Sequence, residues 1–227
     1  MVQHQSEEIL NISFEREGFS NIPRNIIPTL KSILMTPRNF FSQMHINKGF
    51  IFPSVFYIII SLFNICVTSL AIRFGIADNP FNAIAAQFKE TVTDQEIYEN
   101  LISMIKPFIT QSPSDFPVIG YIFKAFFINI VVFALFVSVW HLLLSVSKVS
   151  RNGFQASFRI LAYSSAPLIL GVLPFPFINL VILSWIFIIV GRGIEEAHEV
   201  FPNQAFLGTL MLPITALILV LISGFVF

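Results

Sequence analysis

The chain has 227 residues, of which 55% are hydrophobic and only 11% charged, with a mean hydropathy of +0.79. Ordinary soluble domains carry about 25% charged residues, so this composition excludes them and describes an integral membrane protein. Lysine plus arginine equals aspartate plus glutamate at 13 each, and a neutral chain with scattered basic residues offers no field to attract nucleic acid.

Residues 1–28 are polar, contain four glutamates and show no sustained period, so they read as a flexible cytoplasmic tail without a signal-peptide core. Leu30, Ile33 and Leu34 then fall at helical spacing opposite Lys31 and Ser32, and Thr36-Pro37 supplies an N-cap followed by proline at the first helical position. The stretch 30–44 is expected as an amphipathic helix on the membrane surface, anchored by Arg38, Phe40 and Phe41; the competing expectation is a helix packed under the bundle.

Five apolar runs follow, at about residues 51–72, 118–147, 158–173, 175–191 and 205–226, each approaching the length of a membrane span, with the third short for one. The expected fold is therefore all-α: a polytopic membrane domain over 29–227 with five transmembrane helices and an N-terminal amphipathic surface helix. The first run holds Cys66, the single cysteine, which excludes an intrachain disulfide or a thiolate zinc site. Between the first two runs lies a loop, 73–117, in which Ile84, Phe88, Tyr98, Leu101, Ile102 and Ile105 share a helical face. Trp140 and His141, near the end of the second run, read as an interfacial belt.

The third and fourth runs form a hairpin around a Leu-Pro-Phe-Pro-Phe corner, and the third is notched by Tyr163, Ser164, Ser165 and Pro167. Pro167 frees a carbonyl near Tyr163 that a hydroxyl, a water or a neighbouring helix must satisfy inside lipid. Lysine and arginine number nine on the side of the N-terminus and three on the other, which places the N-terminus in the cytoplasm and the C-terminus outside.

Glu195, Glu196, His198 and Glu199 are the one concentrated polar group. Glu195 and His198 have the spacing used in di-iron bundles, but no span supplies the further carboxylates, so no metal or cofactor is expected. The carboxylates are expected to pair with Lys148, Arg151 or Arg159 on the neighbouring connection. Gly-x-Ser-x-Gly and phosphate-cradling glycine motifs are absent, which argues against a catalytic residue or an enzyme. Tyr163, Ser164, Ser165 and Pro167 with Glu195, Glu196 and His198 are the candidate contact residues for a partner or a lipid headgroup, because topology puts notch and turn toward one membrane face.

Four pieces carry a family resemblance: LKSILMTPRNFF from Leu30, AYSSAPLILGVLP from Ala162, GIEEAH from Gly193, and AFLGTLMLP ending at Pro213. In that order the chain resembles the Yip1 domain family, in particular its short prokaryotic branch. The resemblance implies a five-span domain with a cytoplasmic N-terminus, whose eukaryotic relatives act as adaptors in vesicle traffic and engage small prenylated GTPases. The long aromatic and Gly-Pro-rich N-terminal region of many eukaryotic members is missing, which argues against a GTPase partner and for a bacterial cytoplasmic membrane. The leading expectation is a non-enzymatic scaffold or lipid-organising protein whose partners are the bilayer and a membrane protein or a second copy. Transport through a proline-broken third helix is the rival, and a membrane enzyme ranks third.

Overall fold

The computed structural model describes residues 15, 22–46, 48–91, 95, 98, 99, 102, 103, 106, 109, 112–173 and 177–226, with side chains on the last helix described up to Leu219. Every element among them is helical. They are α1 (Ile22–Met35), α2 (Pro37–Ser42), α3 (Ile51–Arg73), α4 (Pro80–Thr91), α5 (Val118–Val146), α6 (Gly153–Tyr163), α7 (Ile178–Ala197) and α8 (Pro202–Val226), with 3-10 turns at Pro113–Asp115 and Ala166–Val172.

Among the described residues, four helices are long and apolar enough to cross a membrane: α3, α5, α7 and the Pro202–Leu219 part of α8. The expected third span departs from a single helix. α6 stops at Tyr163, Ser164 and Ser165 make a turn, and the chain goes on as the 3-10 segment Ala166–Val172 with Pro167 in its first turn. Proline cannot donate the hydrogen bond that would continue α6, and the tighter winding is the local solution. The five expected helices thus become four long ones and one broken element. Residues 174–176 of the expected corner lie outside the described residues.

α3 packs on α5, α6 and the 3-10 segment, while α7 packs on α2, α6 and α8. The shared core joins Ile33, Phe41, Phe56, Trp140, Tyr163 and Ile194 from six helices. Lipid tails are as apolar as leucine, so close packing rather than water exclusion must hold such helices together. Glycine makes the closest approaches possible. A Cβ on Gly193 would stand 2.8 Å from Ile160 Cγ2 and 3.2 Å from the Phe41 ring, and one on Gly208 would stand 2.9 Å from Leu144 Cδ2. α5, by contrast, lies at the rim, exposing Phe123, Phe127, Val131 and Leu135.

Trp140 departs from the interfacial belt expected of it. Its side chain is fully buried and its indole donates to the Gly208 carbonyl at 3.1 Å. The N-terminal region also differs from expectation: α1 begins at Ile22, before the expected tail ends, and Glu15 is buried. Residues 1–14 and 16–21 lie outside the described set, and most of the face expected at 84–105 does as well.

Candidate functional site

The notch is a closed joint. Ser165 Oγ donates to the Ala162 carbonyl at 2.7 Å, and Asn64 on α3 donates its amide to the Leu168 carbonyl at 2.8 Å. A hydroxyl and a neighbouring helix therefore support carbonyls on either side of Pro167. Tyr163 is fully buried between the rings of Phe40 at 5.0 Å and Phe56 at 5.1 Å. Ser164, Ser165 and Pro167 are buried as well, so these candidate contact residues face the protein interior.

The anchor residues are likewise corrected. Phe40 and Phe41 are 3% and 1% exposed and face Tyr163 and Gly193, so α2 is packed under the bundle instead of resting its rings in lipid. Thr36 occupies the N-cap position, but its hydroxyl donates back to the Ser32 carbonyl at 3.2 Å and caps nothing on α2. Arg38 points the other way, into solvent, where its Nε donates to Glu196 at 2.7 Å and a terminal nitrogen lies 3.5 Å from Glu195. Those two carboxylates raise the Arg38 pKa above its ordinary value, chiefly through the Glu196 hydrogen bond.

Glu195 also meets Arg192 at 2.8 Å, one helical turn earlier on α7. The partners of Glu195 and Glu196 are thus Arg38 and Arg192, not the residues of the 148–159 connection. Arg151 donates instead to the Glu199 backbone carbonyl at 3.1 Å. Beside this cluster a groove of ≈ 320 Å³ opens between α7 and α8, with Phe187, Ile188, Pro202 and Phe206 as apolar walls and Arg192 and Glu195 among its polar lining.

His198 turns inward from the same helix end. Its Nδ1 accepts the Asn152 N–H at 3.2 Å and its Nε2 lies 3.1 Å from Ser157 Oγ, which in turn lies 2.9 Å from His141 Nδ1. The Asn152 side chain adds a bond to the Ala197 carbonyl at 2.7 Å. This chain of polar groups joins α5, α6 and α7 at one end of the bundle. Burial, with His141 nearby, pushes the His198 pKa down to about 4, so the ring is neutral at physiological pH.

Sequence reasoning gave Arg159 the wrong partner and missed Glu15. Arg159 is fully buried, pairs through Nη2 with Glu15, and donates through Nη1 to the Gly49 carbonyl at 2.9 Å. The Tyr163 hydroxyl donates to the same Glu15 oxygen. Arg159 and Tyr163 sit four residues apart on α6, a spacing legible in the sequence as one helical face. Nothing in the tail marks Glu15 above Glu7, Glu8 or Glu17 as the partner.

The broken-helix bundle and its apolar helices define a polytopic helical membrane protein. Residues 31–224 match the family model of the Yip1 domain, nearly the whole chain, and the protein belongs to the Yip1 domain family. No curated protein and no solved structure matches it.

Proposed function

We propose that this chain is a non-enzymatic membrane scaffold, and that it holds a membrane-protein partner or lipid headgroups against the face built from α2 and the C-terminal end of α7. The observation that carries this reading is the Arg38–Glu196–Glu195–Arg192 cluster, where four charged side chains bridge two elements at a surface beside an apolar groove. The contact surface narrows accordingly to Arg38, Arg192, Glu195 and Glu196, since Tyr163, Ser164, Ser165 and His198 are buried. In this reading that face is cytoplasmic, in line with the excess of basic residues on its side, and the membrane is the bacterial inner membrane.

One observation favours transport as the second reading: the backbone break between α6 and the 3-10 segment, beside α3. Against it, Asn64, Phe40 and Phe56 fill the break with protein groups. Extraction of the wild type, Arg38→Ala and Glu196→Gln from native membranes separates the readings. The scaffold reading expects a protein or lipid species that stays with the wild type and is lost from both variants without loss of thermal stability. Full retention by both variants would remove this face from consideration.

A further inference from the structure

The buried Arg159 is fully enclosed by protein, and a lone charge in that position is strongly destabilising unless an anion meets it. The anion comes from Glu15, which lies outside the matched domain of residues 31–224, whereas Gly49, Arg159 and Tyr163 all lie within it. The domain thus carries the cationic half of the pair, and a residue preceding it supplies the other half.

The donor set exceeds what the inserted carboxylate takes up. One Glu15 oxygen accepts from both Arg159 Nη2 and the Tyr163 hydroxyl. Arg159 Nε, also buried, has no hydrogen-bond partner among the described residues. Guanidinium presents its donors as a planar fork suited to a bidentate oxyanion, and a tetrahedral phosphate offers acceptors in more directions than a single carboxylate oxygen. Phe40 and Phe56 against the Tyr163 ring keep the surroundings apolar, where a charge-assisted pair is strongest.

We propose that Arg159 and Tyr163 form a phosphate-class anion site in the membrane domain, and that the chain's own Glu15 occupies it as a displaceable plug. A phosphate-bearing lipid or soluble phosphate is the competing occupant, and its entry displaces the Glu15 carboxylate. The site stands apart from the scaffold face and does not depend on it.

The test uses the full chain in detergent micelles, with native mass spectrometry to count retained ligand during titration with phosphatidic acid, with diacylglycerol as the phosphate-free lipid, and with inorganic phosphate. Removing an internal competitor raises apparent affinity by the inverse of the fraction of open chains, so Glu15→Gln is expected to retain phosphatidic acid at about tenfold lower concentration than the wild type. Adding Tyr163→Phe to Glu15→Gln should reverse most of that gain, and diacylglycerol should distinguish none of the variants. A response to inorganic phosphate as large as that to phosphatidic acid supports the site and places its ligand in solution. Equal retention of every phosphate probe by wild type and Glu15→Gln would overturn the proposal and leave a structural ion pair. Should Glu15→Gln fail to fold, the same question is put to the native chain: Tyr163→Phe alone is expected to lower retention of phosphatidic acid or of inorganic phosphate and to leave diacylglycerol unaffected. Retention of both phosphate probes indifferent to Tyr163→Phe would overturn the proposal equally.

Discussion

Asn64 and Gly171 test how the broken element is held in the bundle. The Asn64 amide donates to the Leu168 carbonyl at 2.8 Å, and a Cβ added to Gly171 would stand 2.7 Å from that same amide nitrogen. Asn64→Ala removes the bond; side-chain bonds between membrane helices average about 0.6 kcal/mol and soluble ones about 1, so a loss of about 1 kcal/mol is expected. Gly171→Ala forces the amide off its acceptor and adds overpacking, for a loss of about 1–3 kcal/mol. Both substitutions act through one group, so the double variant should be less destabilised than the sum of the two by about 1 kcal/mol, because the clash disappears with the amide. Equilibrium unfolding in mixed micelles with increasing dodecyl sulfate measures all four corners of the cycle. Costs that add to within about 0.5 kcal/mol would refute the shared contact.

Other perturbations follow from the same packing. His198 is neutral when folded and its pKa lies at about 4 against an ordinary 6.5, so the unfolded chain binds the extra proton first as the pH falls. Stability should therefore be flat above pH 6.5 and decline between 6.5 and 4 by up to about 3 kcal/mol; thermal unfolding across that range, with His198→Gln as the variant that loses the decline, checks it. Gly193→Val should overpack the seat of Phe41 by about 1–3 kcal/mol and lift α2, which thiol labelling of Met44→Cys in a Cys66→Ala background would report as increased reactivity. Trp140→Phe removes the bond to the Gly208 carbonyl and should cost about 1 kcal/mol in the same unfolding assay. Glu199 has a left-handed backbone, φ 53°, at the end of α7; Glu199→Gly should raise thermal stability, by about 1 kcal/mol.

The long helices were legible because length and apolarity alone define them. α3 and α5 match the expected spans to within a residue at each end. Tyr163-Ser-Ser-Ala-Pro167 announced the break, since proline chemistry is local, but its support by Asn64 was not, because the partner is 104 positions away. Phe40 and Phe41 look the same in sequence whether they enter lipid or protein; the seats that bury them, Tyr163 for Phe40 and the side-chain-free Gly193 for Phe41, lie more than 100 positions away. The basic connection misled for a related reason. Lys148, Arg151 and Arg159 are equivalent as charges along the chain, yet α6 turns Arg159 inward toward Glu15 while Arg38, remote in sequence, reaches Glu195 and Glu196. His141 and Ser157 lie on two different helices and His198 just past the end of a third, and nothing in their spacing foretells the network.

The scaffold reading is tested most directly by a photo-crosslinking amino acid at position 39, exposed on α2 beside the intact Arg38, in living cells, with purification under denaturing conditions. The account predicts adducts to a discrete protein or to phospholipid, abolished when Glu196→Gln is introduced alongside. Absence of any adduct at position 39, together with solute flux in proteoliposomes carrying the wild-type chain, would contradict it.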